Sequence, residues 1–82
     1  MKNVTVSLKS VEAVSLFVRH TEGFEGISVD AHQGRYIVDA KSIMGMLSLT
    51  LCNPIVLNIV GNEEDTERYL RVIDAEGFIE NV

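Results

Sequence analysis

Three short segments of this chain alternate apolar and polar residues so regularly that each can bury only one side. Val4, Val6 and Leu8 line one face of Asn3–Leu8, Ile27, Val29 and Ala31 line a second segment, and Ile55, Leu57 and Ile59 a third. A fourth strand, Arg35–Asp39, is expected to return from a turn at His32-Gln33-Gly34. A sheet built from such strands has one apolar face, so every helix must pack on that same side.

Between the strands the period lengthens. From Ser10, Val11, Val14, Phe17 and Val18 recur at helical spacing, Arg19 and His20 place positive charge in a last turn, and Gly23 ends the helix. Ser42 is a good N-cap for a second helix, with Ile43, Met46, Leu47 and Leu51 as its apolar stripe and Asn53-Pro54 as its stop. Asn62 caps a third, which opens with Glu63, Glu64 and Asp65, turns Tyr69, Leu70 and Ile73 inward and ends near Gly77. The expected architecture is therefore α+β: an open-faced sandwich of order β-α-β-β-α-β-α, with a four-stranded antiparallel sheet covered on one face by three helices.

At 82 residues the chain suits one domain spanning 1–82, since two cores would leave too few residues for each. Twelve acidic against seven basic side chains give a formal charge of −5, which opposes a nucleic-acid backbone. Apolar segments such as Val14–Val18 and Ile55–Val60 are far shorter than the roughly 20 residues of a spanning helix, and no signal-peptide-like apolar stretch opens the chain. No membrane insertion and a cytoplasmic location are the expectation. Cys52, the only cysteine, allows no internal disulfide or zinc-binding thiolate pair and reads as a small buried hydrophobe. No cofactor or metal is expected.

The run Ala40-Lys41-Ser42-Ile43-Met44-Gly45-Met46-Leu47-Ser48-Leu49 resembles the serine-site segment of HPr, the small phosphocarrier of the bacterial sugar phosphotransferase system. The likeness extends to the element order, to the first strand around Val4-Thr5-Val6 and to the acidic start of the last helix. It implies the HPr-like sandwich and a regulatory phosphorylation site at Ser42, modified in the family by an ATP-dependent serine kinase. It also implies a partner-binding surface built from Lys41, Ser42, Met44, Gly45 and Leu47. The partners it implies are enzyme I, sugar permease components and the HPr serine kinase.

The chain departs from the family at the other site, where carriers have a Leu-His-Ala-Arg-Pro type segment capping the first helix. Anchored on Leu16-Phe17-Val18, that segment becomes Lys9-Ser10-Val11-Glu12-Ala13, which puts Ser10 and Glu12 at the family's histidine and arginine positions. No register shift restores a histidine, because none occurs between Met1 and Arg19. An imidazole reacts near neutral pH and forms a labile phosphoryl bond, whereas a serine hydroxyl forms a stable ester and needs an added base. A carboxylate at Glu12 would repel the phosphoryl dianion that an arginine clamps. As helix residues both are ordinary, Ser10 as an N-cap and Glu12 at the positive end of the dipole.

Ser42 carries two compatible readings, a helix cap and a modification site at a helix N-terminus. With Ile43, Met46 and Leu51 assigned to the core, Met44 is expected on the surface and Leu47 at its border. His20, about 15 Å along the helix from Ser10, and His32, in the expected turn, have no ligand partners at metal spacing. Asp30 and Asp39 read as solvent-facing strand positions, and Glu63-Glu64-Asp65 as a helix start. The resulting expectation is a regulatory or protein-binding module, not an enzyme, that does not carry phosphate on histidine. Two other readings remain: a working phosphocarrier that uses His20 or His32, and a small ligand-binding regulatory domain of similar element order.

Overall fold

A computed structural model describes residues 2–80. They form β1 (Lys2–Val6), α1 (Val11–Glu22), β2 (Ile27–Gln33), β3 (Tyr36–Asp39), α2 (Ile43–Leu47), β4 (Ile55–Gly61) and α3 (Glu63–Ala75). The sheet runs β1-β4-β2-β3 with every neighbouring pair antiparallel, and the element order is the one the hydrophobic periods predict.

Alternation decides which side the helices take. Val6, Ile27, Val29, Ala31, Ile55, Leu57 and Ile59 are all buried, and with Val14, Phe17, Val18, Met46, Tyr69 and Ile73 they form one core between sheet and helices. The residues between them, among them Ser28, Asp30, Val56 and Val60, stay exposed on the uncovered face. Phe17 meets Phe78 edge-on, with centroids 5.9 Å apart, and Tyr69 meets Phe24 in the same way at 5.3 Å.

Each helix begins where a capping side chain was expected. The backbone N–H groups of Ala13, Gly45 and Asp65 donate to the side-chain oxygens of Ser10, Ser42 and Asn62, at 3.0, 3.2 and 2.7 Å. Gly23 closes α1, while α3 ends on Glu76 with Gly77 in the left-handed region at φ 80° just beyond. Among the described residues no helix is long and apolar enough to cross a membrane.

Four expectations are corrected. Val11 is 54% exposed, outside the α1 stripe, whose fourth buried position is Thr21. The β2–β3 turn lies at Gly34-Arg35 rather than at His32-Gln33-Gly34, so His32 is a strand residue paired with Ile37 and Val56. Gly34, with φ 60°, supplies the first position of a two-residue hairpin loop, which leaves Arg35 in the turn. The second helix stops at Leu47, because Ser48 and Leu49 bond back three residues, to Gly45 and Met46, and Ser48 Oγ donates to Gly45 O at 2.6 Å. That tightened turn breaks the helical period, so Leu49 enters the core while Ile43 and Leu51 stay partly exposed.

Candidate functional site

The α2 segment is pinned from both sides. Ahead of it, Asp39 folds the chain into a turn: its Oδ1 accepts from the Lys41 N–H at 2.9 Å, and its carbonyl accepts from the Ser42 N–H at 2.9 Å. The Lys41 ammonium does not reach outward. It donates to the carbonyls of Phe24 and Ile27 at 2.8 and 2.7 Å and ties the α1–β2 connection to the start of α2. Gly45 lets α2 lie close to β3, since a Cβ there would be 3.2 Å from Val38 Cβ and 3.4 Å from Ser42 Oγ.

What remains outward is apolar. Met46 is 1% exposed and Met44 is 78% exposed, two positions apart on one short helix. Ile43 and Leu47 add exposed apolar surface on the same short helix, Leu51 is exposed in the loop that follows, and along the sequence charged side chains stop at Lys41 and do not resume until Glu63. Ser42, half-buried, stands at the edge of this patch with its Oγ on the Gly45 N–H. The uncharged run was present in the sequence as a signal for a docking surface. The exposure of Ile43 and Leu51 was hidden, because both were assigned to the core.

The loop after α2 reaches the start of α1. The Cys52 N–H donates to the Leu8 carbonyl at 2.9 Å, its Sγ lies 3.9 Å from the Lys9 carbonyl, and its backbone sits in the left-handed region at φ 71°. Cys52 is exposed rather than a buried hydrophobe, because the residue must close this loop and its side chain is carried outward. The same loop is tied to the hairpin, where Gln33 donates to Thr50 O at 2.9 Å and its Oε1 accepts from the Thr50 N–H at 2.7 Å. One end of the molecule thus gathers the start of α1, the loop following α2 and the β2–β3 hairpin.

At that end, Ser10 caps α1 and its Oγ is already engaged by the Ala13 N–H. Glu12 is exposed in the first turn. Neither histidine joins them. His20, in the last turn of α1, donates from Nε2 to Glu76 Oε2 at 2.7 Å and so links the ends of α1 and α3. His32 lies on the uncovered sheet face, where its Nε2 accepts from the Asn58 amide at 2.7 Å and its free lone pair is occupied. Asp30 and Asp39 are exposed and stand directly opposite each other across β2 and β3. Among the described residues no group of three or more His, Cys, Asp or Glu side chains could hold a metal ion.

An open-faced sandwich of this order, with a serine-capped second helix beside the start of the first, defines the class of small α+β domains built like HPr. No family model and no curated protein sequence matches the chain, but solved structures do. It is similar to HPr-C-His from Thermoanaerobacter tengcongensis, at 27% identity and TM-score 0.72 over 100% of both chains. It is also similar to the phosphocarrier protein HPr from Bacillus anthracis str. Ames, at 30% identity and TM-score 0.69 over 90% of both chains. The chain belongs to the HPr family.

Proposed function

We propose that this protein is a regulatory, protein-binding member of the HPr family that does not carry phosphate on histidine. The observation behind the reading is the contrast between its two sites. The start of α1 offers Ser10 and Glu12 with no histidine, whereas the Ser42 segment keeps its serine and presents an exposed Met44 within a stretch of sequence free of charged residues. Ser10 Oγ has no adjacent general base among its bonded neighbours, and the Glu12 carboxylate disfavours an incoming phosphoryl dianion. Moving the transfer to His20 or His32 gains nothing from the geometry, since one is bound to Glu76 and the other lies on the opposite face of the sheet.

The module acts through Met44, Leu47 and the neighbouring apolar residues, with Ser42 and Gly45 shaping the surface and Lys41 bracing it from within. An exposed methionine fits an adaptable apolar contact. The family resemblance names the partners: enzyme I, sugar permease components and the HPr serine kinase, all met in the cytoplasm. A phosphate on Ser42 would bring about −1.5 to −2 charges to the margin of this apolar patch and weaken any contact that must exclude water there.

Two incubations test the reading, each followed by mass spectrometry of the intact protein and its peptides. Phosphoenolpyruvate with enzyme I should leave no acid-labile phosphate, and ATP with the serine kinase should place one acid-stable phosphate on Ser42. Acid-labile phosphate at the stoichiometry of an ordinary HPr would overturn the proposal. Its disappearance in His20→Ala or His32→Ala would then identify the carrier.

A further inference from the structure

Two of the chain's three methionines lie in α2, in opposite surroundings. Met46 is 1% exposed and belongs to the core, whereas Met44, at 78%, is the most exposed large apolar side chain among the described residues. The other exposed apolar side chains of this segment, Ile43, Leu47 and Leu51, are hydrocarbons. The segment therefore carries an oxidisable thioether at its most accessible apolar position.

The fold does not lean on that side chain. The segment is held by the Ser42 cap on the Gly45 N–H at 3.2 Å, by the close approach of Gly45 to Val38 and by Met46 in the core. A change of polarity at Met44 is thus felt by whatever docks on α2 and not by the core.

We propose that Met44 is a reversible oxidation site that weakens docking on α2, which rests on the partner-binding role given to that surface above. The oxidant is a hydroperoxide, with hydrogen peroxide as the simplest case. The thioether sulfur attacks one peroxide oxygen, the O–O bond breaks and a sulfur–oxygen bond forms. The proton on the transferred oxygen passes to the departing hydroxide, which leaves as water; sulfur loses two electrons and the peroxide gains them. In the return step a methionine sulfoxide reductase removes the oxygen as water while two thiols become a disulfide. The sulfoxide is a hydrogen-bond acceptor where an apolar group stood, so burying it in an apolar contact carries a desolvation cost that the thioether did not.

The test treats the folded protein with hydrogen peroxide, locates the added oxygen by tandem mass spectrometry and measures affinity for the HPr serine kinase by calorimetry before and after. Met44 should be oxidised first, and Met46 spared for as long as circular dichroism shows the fold intact. Affinity should fall about tenfold. Methionine sulfoxide reductases for both epimers, with a thiol reductant, should restore it. In Met44→Leu, peroxide should leave that variant's own affinity where it was. Cys52, also exposed, is kept in the variant, so an effect carried by the thiol would persist there and overturn the proposal. Equal oxidation of Met44 and Met46 in the folded protein also overturns it, as does complete oxidation of Met44 with affinity unchanged. Should Met44→Leu bind too weakly to measure, failure of the reductases to restore the wild type decides against the site. Untreated protein that does not bind the kinase would defeat the docking surface itself, and this proposal with it.

Discussion

Thr21 and Tyr69 show how one residue can commit the core to a polar bond. Thr21 is fully buried on the core side of α1, its Oγ1 donates to the Phe17 carbonyl at 2.8 Å, and it accepts from the Tyr69 hydroxyl at 2.8 Å. Thr21→Val keeps the shape but leaves the phenol without a partner, and should cost roughly 1–3 kcal/mol in a urea unfolding titration. Burial also pushes the Tyr69 phenol well above its ordinary value, an effect the Thr21 bond only partly offsets. The unfolded chain ionises this tyrosine near pH 10 while the fold holds it neutral. Its contribution is therefore complete below about pH 10 and is lost as pH rises further. Stability measured against pH should fall above that point in the wild type and fall less in Tyr69→Phe. Thr21 closes a stripe that its polarity conceals in the sequence.

Among the elements, α2 is where local pattern and final structure diverge most. Met44 and Met46 are alike in sequence, but one is on the surface and the other sealed in the core. Met46→Ala should cost about 2–5 kcal/mol in thermal or urea unfolding, whereas Met44→Gln should stay within about 0.5 kcal/mol of the wild type while weakening partner binding. The caps were legible because a cap depends on neighbours three residues away. Ser10→Ala should remove about 1 kcal/mol, and its circular dichroism spectrum should still show every strand and helix. The strands were legible because each alternates against a single core. The end of α2 was not, because a side-chain bond from Ser48 to Gly45 O competes there with continued helix. His32 and Cys52 were misplaced for a related reason: their environments are made by Asn58, Leu8 and Lys9, which lie far along the chain.

Considered whole, the molecule has one core that draws on all four strands and all three helices of the described residues. The central β2–β4 pair leaves no room for error. A Cβ on Gly61 would fall 2.5 Å from the Gly26 carbonyl oxygen and 2.8 Å from Ile27 Cα, so Gly61→Ala should cost roughly 1–3 kcal/mol through a forced backbone shift. With no second core to unfold separately, circular dichroism and tyrosine fluorescence should report a single transition with coincident midpoints in wild type and variant alike.

The sequence by itself determined the strands, the single buried face of the sheet, the three capped helices and the family, and also the absence of a histidine at the start of α1. All of these depend on residue types at short, fixed spacings. The tertiary structure alone decided that Lys41 points inward, that Leu49 replaces Leu51 in the core and that His32 lies on the open face. It likewise decided that the segment after α3 covers the β1 edge at Thr5–Ser7. Each of these is settled by which distant backbone groups meet, and hydrogen bonds between segments far apart in the chain leave no period in the sequence to read.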